Sequence, residues 1–380
     1  MTLLDQLIQQ LQDYCANLSD DQHTQILALL QEGQMHASPT WSAHMTPAVS
    51  PYALLGHILA ASHNGNLLSA PLYPQLAAIE SEVIHWFCRH FQLPLGHFIQ
   101  GGSYANLEAL WQAKIQARDT HRPVYVSQAA HYSIVKACHI LDLPYQIIPS
   151  DDQDRLQIPA LRQACQDQPP LAIVATAGTP SCGAIDPLDL CAAIAQQYAC
   201  WYHIDAAWGG MLALVEHADI RASFSLAHSL SFDPHKALEQ SKPCSILLYR
   251  QSFPVFHEVN TDYLHAPPEY RLGGSYGGEL FLPVWCSLFH KETLIAHIQQ
   301  RLAQAAQFAQ QLAILTDWQI WPAVTGIVCF KPNSDMDLSP LVQQGILSQT
   351  LIHDIPVYRA VFASHHTQAE AMIAALQPYF

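Results

Sequence analysis

Apolar residues recur at helical spacing where the sequence opens. Leu3, Leu4, Leu7, Ile8 and Leu11 share one face and predict an amphipathic helix. Ser19 followed by Gln22 reads as a capping box that starts a second helix through Ile26, Leu29 and Leu30. An arm with such a face must pack on the main body or on a second subunit. Residues 36–51, rich in Pro, Ser and Thr, read as a loop, and 52–64 and 76–92 as helices. The pattern then changes period. Short apolar runs at Val124–Ser127, Tyr145–Pro149, Leu171–Thr176, Trp201–Asp205, Leu226–Phe232 and Ser245–Tyr249 predict strands. Helical patterns fit between most of them, at Ser133–Leu141, Ile158–Cys165 and Leu188–Ala199. This alternation predicts an α/β fold, a mostly parallel central sheet covered by helices on both faces. In such sheets ligands bind beyond the carboxyl ends of the strands, where Thr176, Asp205 and Lys236 all fall.

Beyond Tyr249 the pattern breaks. Residues 260–278 carry Pro267-Pro268, Tyr270, Gly273-Gly274 and Tyr276-Gly277-Gly278, a long loop with glycine hinges that suits a mobile lid. Helices return at Leu282–Phe289 and Thr293–Leu312, then strand-like pieces at Ile327–Phe330 and Pro356–Phe362, and a last helix at Gln368–Leu376. The expected organisation is a helical arm and substrate loop over 1–50, a large α/β domain over 51–278 and a small α+β domain over 279–380.

Composition narrows the classes. The 380 residues are 50% hydrophobic and 12% charged, which suits a well-buried globular protein. A formal charge of −15 argues against nucleic-acid or anionic-membrane partners. The first Arg is Arg89 and the first Lys is Lys114, so neither a secretory leader nor a transit peptide is expected. Ten cysteines without a CxxC pair read as buried thiols of a reducing, cytoplasmic compartment. The 22 histidines lack ligand spacing, and His365-His366 has no Cys or carboxylate near it in sequence, so no metal is expected.

The chemistry centres on Ser231-Phe232-Asp233-Pro234-His235-Lys236, where an apolar run ends at a proline turn and presents one lysine. A lysine held desolvated on such a base is expected to have a lowered pKa and a nucleophilic amine. Asp205, ending the run Trp201–Ile204, offers a semi-buried acid that needs a cationic partner. Ala206, Ala207, Gly209 and Gly210 leave room for a flat ring, and His131 can stack on its other face. Gly101-Gly102-Ser103, ahead of a helix beginning near Asn106, can hold phosphate with His235. An amine, an acid for a ring nitrogen, a flat neighbour and a phosphate anchor are what pyridoxal phosphate requires.

Ser-Phe-Asp-Pro-His-Lys, His-Ile-Asp-Ala-Ala-Trp and Gly-Gly-Ser-x-Ala-Asn together resemble the group II pyridoxal-phosphate-dependent amino-acid decarboxylases, which act on glutamate, cysteine sulfinate, aromatic amino acids or diaminobutyrate. The resemblance implies fold type I and a homodimer with active sites at the subunit interface. It places the Schiff base on Lys236, the ring-nitrogen partner on Asp205, the stacking imidazole on His131 and Thr176 beside the cofactor. Tyr358-Arg359-Ala360-Val361 is similar to the family's C-terminal segment, which implies that Arg359 receives a substrate carboxylate. His36 to Met45 is similar to the substrate loop, with His44 facing the substrate, and Tyr270 stands where members carry a lid tyrosine. Tyr276 competes with Tyr270 as proton donor. The function so implied is decarboxylation of a small acidic or diamino L-amino acid. The alternatives are an aldehyde-forming decarboxylase, a carbon–carbon lyase, or a retired fold kept as an interaction module.

Overall fold

Strands Leu95–Ile99 (β1), Val124–Ser127 (β2), Tyr145–Ile148 (β3), Ala172–Thr176 (β4), Trp201–Asp205 (β5), Ser229–Phe232 (β6) and Ser245–Tyr249 (β7) form one seven-stranded sheet in the order β1-β7-β6-β5-β4-β2-β3. They are seen in a computed structural model that describes residues 3–215, 218–252, 271–333 and 336–380. Every residue of β2, β4, β5 and β7 is buried, as expected of strands covered on both faces. Neighbours from β3 through β6 run parallel.

β7 departs from the expected alternation: it pairs antiparallel with both β6 and β1. The cause is the connection. No crossover helix follows β6, only one helical turn, Pro234–Ala237, and a bend through the cis Lys242–Pro243 bond. A strand returning over so short a path must run antiparallel. β6 also begins at Ser229, three residues after the expected Leu226, because Leu226 and Ala227 close the turn after the helix Ala218–Phe224.

The helix expected near Asn106 begins at Gly102 and runs to Gln116. Gly101, at φ +105°, makes the strand-to-helix turn in one residue, so Gly102 and Ser103 lie in the first helical turn. Helices Pro51–His63 and Leu282–Leu288 cross tightly at Gly56, where an added Cβ would come within 2.5 Å of the backbone at Leu282 and Pro283.

A second, antiparallel sheet has the order β10-β11-β9-β8, with β8 Gln319–Ile320, β9 Ile327–Lys331, β10 Ser348–Ile352 and β11 Ile355–Val361. The sequence pattern showed only β9 and β11. Helix Lys291–Leu315 covers this sheet through Phe308, which packs on Phe330 and Phe362.

The arm forms as read. Its helices are Leu3–Ala16 and Asp20–Gln34, and both halves of the Ser19/Gln22 capping box are present. Helix Asp20–Gln34 buries none of its residues, and Leu27, Leu29 and Leu30 are 55%, 70% and 61% exposed. This helix is therefore left without a covering partner among the described residues. No helix among the described residues is long and apolar enough to cross a membrane.

Candidate active site

Sheet register sets the floor of the site. Thr176 pairs with Asp205, and Asp205 with Ser231, so three neighbouring strands end side by side. One residue beyond β6, Asp233 starts the single helical turn that carries His235 and Lys236. A cavity of about 680 Å³ opens over these ends. Among its lining residues are Gly102, Ser103, His131, Thr176, Asp205, Ala207, His235 and Lys236. His44 and Arg359 line it too, so ten of the eleven site residues read from the sequence meet in one place. The eleventh, Tyr270, lies outside the described residues. Its competitor Tyr276 does not line the cavity: its hydroxyl donates to Glu80 Oε2 at 3.1 Å and accepts from Arg271 Nη1 at 3.4 Å.

Asp205 is held by neutral donors. Its Oδ2 accepts from Asn106 Nδ2 at 2.9 Å, and its Oδ1 from the Ala207 amide at 3.1 Å and the Ser231 hydroxyl at 3.4 Å. The network continues outward. His203 Nε2 and Ser231 Oγ donate to Asn106 Oδ1 at 2.9 and 3.1 Å, while Asn106 Nδ2 also reaches Ser133 Oγ at 2.9 Å. Ser133 Oγ in turn meets His131 Nδ1 at 2.8 Å. Burial pushes His203 down to about 4, so that ring is neutral at pH 7, and burial also lowers His131. Asn106 therefore joins Asp205, the buried His203 and, through Ser133, His131. The sequence named Asn106 only as the end of a motif.

Lys236 corrects an expectation. Burial works to lower its pKa, but the carboxylates of Asp233 and Asp205 outweigh burial and hold it above its ordinary value. Its Nζ lies 3.0 Å from Asp233 Oδ2. Asp233 is itself buried and receives Ser245 Oγ, with His235 Nε2 3.6 Å away. An aspartate three residues ahead of the lysine on a proline turn was the available signal. Gly102 makes this packing possible, since a Cβ there would lie 2.9 Å from both Asp233 oxygens. Nδ1 of His235 donates to the Cys244 carbonyl at 2.6 Å, which fixes the ring.

The mouth is built from distant pieces. Arg359 on β11 donates through Nε to Ser348 Oγ at 3.1 Å, through Nη1 to the Pro180 carbonyl and through Nη2 to the Ala43 carbonyl at 3.4 Å. Exposed Lys242 also lines the cavity, with Nζ 2.7 Å from Thr46 Oγ1, a residue the sequence gave no reason to choose.

His365, left without companions in the sequence, has them in space. Nδ1 of His365 and Nδ1 of His297 donate to Glu239 Oε1 at 2.7 and 3.1 Å. The two rings stack at 3.7 Å and 18°. The two histidines therefore share one buried carboxylate, that of Glu239.

Residues 1–332 match the family model described as the pyridoxal-dependent decarboxylase conserved domain. The chain belongs to this decarboxylase family. It is 34% identical over 235 residues to L-2,4-diaminobutyrate decarboxylase of Rhizobium meliloti, a match covering 58% of this chain and 48% of that enzyme. It is 26% identical over 384 residues to 3,4-dihydroxyphenylacetaldehyde synthase of Drosophila melanogaster, covering 88% of this chain and 75% of the relative. The chain thus spans about half the length of the first of these relatives. Among solved structures, the fold is similar to Catharanthus roseus tryptophan decarboxylase in complex with L-tryptophan, with TM-score 0.80 and 22% identity over 90% of this chain and 83% of that one.

Pyridoxal phosphate is the cofactor of this decarboxylase family, and the residues fit it. Thr176 Oγ1 is buried at the cavity wall with no hydrogen-bond partner. Asp205 is a buried carboxylate that, among the described residues, forms no ion pair, and a protonated ring nitrogen would supply its missing cation. The opening turn of helix Gly102–Gln116 offers N–H groups that intrahelical bonding leaves free for a phosphate.

Proposed function

We propose that this decarboxylase-family chain converts a small L-amino acid to its amine and CO2. The observation that carries this reading is the convergence of Lys236, Asp205, His131 and Thr176 in one cavity beside Gly102 and Ser103. Lys236 would hold the cofactor covalently and Asp205 its ring nitrogen. His131 would cover the ring face, Ala207 and Thr176 the opposite wall, and Gly102, Ser103 and His235 the phosphate. Bound pyridoxal phosphate supplies an electron sink for the pair left on the α-carbon when CO2 departs.

The chain's own groups supply the rest. Asp233 Oδ2 keeps Lys236 protonated until a proton must leave Nζ, and at 3.0 Å it is the acceptor at hand. Neutral His131, tied through Ser133 and Asn106 to Asp205, keeps its ring in one orientation. Arg359 binds the substrate carboxylate, with His44 beside it. The proton returned to the substrate Cα comes from Tyr270, a reading supported by the engagement of Tyr276 with Glu80. The functional unit is a homodimer whose second copy covers the apolar face of the arm, since Leu27, Leu29 and Leu30 are left exposed within one chain.

A second reading, an aldehyde-forming decarboxylase, draws on the 26% identity to the Drosophila synthase across 88% of this chain. One experiment separates them. The cofactor-loaded protein is screened with the common L-amino acids for CO2, amine and aldehyde. Amine and CO2 in equal amounts are expected, and Tyr270→Phe should keep the cofactor's visible band while slowing amine formation about a hundredfold. Aldehyde as the wild-type product selects the second reading, and no CO2 from any amino acid ends both.

A further inference from the structure

Among the described residues, the cavity mouth holds two cations and no carboxylate paired with either. Among the described residues, neither Lys242 nor Arg359 forms an ion pair with a carboxylate: Lys242 rests on the Thr46 hydroxyl, and Arg359 on two carbonyls and the Ser348 hydroxyl. The two carboxylates that line the cavity among the described residues are committed deeper inside. Asp205 faces Asn106 and the Ala207 amide, and Asp233 holds Lys236, His235 and Ser245. His44 stands within reach of both cations. Its pKa is lowered by burial first, then by the charges of Arg359 and Lys242, so at neutral pH it adds no anion and little charge of its own.

A substrate with one carboxylate answers one of these cations and leaves the other facing it. A side chain ending in a second acid answers both. A side chain ending in an ammonium meets two like charges. We infer that Lys242 is a specificity-determining residue that receives the side-chain acid of the substrate while Arg359 takes its α-carboxylate, so the substrate class is acidic rather than diamino. This rests on the decarboxylase reading above for the placement of the α-carboxylate. Lys242 suits the task because it sits on the bend that follows Lys236, so one short connection positions both the cofactor-holding amine and the side-chain reader.

The test uses the cofactor-loaded full chain and two independent readouts. Perturbation of the cofactor's visible absorbance gives Kd for L-aspartate, L-glutamate, L-cysteine sulfinate and L-2,4-diaminobutyrate, and CO2 release gives KM and kcat. The wild type should bind at least one of the acids tenfold or more tighter than the diamino acid, on the order of one charge-assisted contact. Lys242→Met should raise Kd and KM for that acid about tenfold with Kd for pyridoxal phosphate unchanged, Lys242→Arg should recover most of the loss, and Lys242→Glu should invert the preference. Tighter binding of the diamino acid by the wild type overturns the inference. So does a Lys242→Met protein that loses cofactor affinity with its substrate preference intact, which would assign the ammonium to the phosphate. If acids bind selectively yet no CO2 appears, the decarboxylase reading fails while this one stands. If CO2 comes only from amino acids without a side-chain acid, the reverse holds.

Discussion

On the inner wall of the cavity, neighbouring strands answer each other. Thr176, Asp205 and Ser231 are register partners, and Asn106 and Ser133 close the network from two helix starts. At the mouth, His44, Lys242 and Arg359 arrive from a loop, a bend and an interior strand of the second sheet, and the hydrogen bonds of Lys242 and Arg359 go to hydroxyls and carbonyls rather than carboxylates. The inner wall is buried and, apart from the unpartnered Thr176 Oγ1, closely hydrogen-bonded; the mouth is partly exposed and, among the described residues, carries surplus positive charge. The difference separates two tasks. On the function proposed above, a rigid wall would fix what the bound cofactor can do, and a charged rim would decide which amino acid it is done to.

Three substitutions put this division at risk. The largest effect is expected from Lys236→Ala, which should abolish both the cofactor's visible band and CO2 release. A variant that still holds borohydride-reducible cofactor would move the covalent anchor elsewhere. Asp205→Asn comes next. An amide cannot balance a protonated ring nitrogen, and its NH2 group would face the Asn106 amide or the Ala207 N–H. Turnover should fall on the order of a thousandfold with weakened cofactor binding. A near-normal rate would make Asp205 a strand-end cap and dissolve the inner wall as a chemical unit. The smallest effect belongs to the mouth. Arg359→Met should raise KM about tenfold and leave the Kd for pyridoxal phosphate close to that of the unmodified protein. If it loses cofactor as readily as Asp205→Asn does, wall and rim are one structure.

The same division explains what could be read from the chain. Thr176, Asp205 and Lys236 were legible because each ends or follows its own apolar run, and the alternation of runs with helices implies that such ends gather. Asn106 was present in a quoted motif, but its partner Asp205 is 99 positions away, and nothing local shows that distance closed. The Lys236 pKa was read in the wrong direction for a related reason. An apolar approach reveals burial, whereas the sign of the shift depends on where the Asp233 carboxylate points. The antiparallel direction of β7 is not legible in the sequence, because a run of apolar residues carries no direction. Lys242 drew no notice because one lysine in a turn is ordinary until Thr46, 196 positions earlier, is found beside it.

Glu239 lies three residues past Lys236, and its carboxylate is held by His297 and His365. Arg301, fully buried in helix Lys291–Leu315, donates to the carbonyl of Ala237, next to the lysine, and to that of Ala363, both at 2.6 Å. The amine is therefore tethered from two sides, by β6 in front and by a helix that begins 55 positions later behind. Any shift of that helix against the large sheet pulls on the main chain one residue from Nζ's own backbone. Severing the chain after Tyr249 would leave a complete seven-stranded sheet and, of the described cavity-lining residues, all but Arg359, yet strand Glu239 without its partners. A transplant of the lysine turn into another scaffold would need Arg301 as cargo.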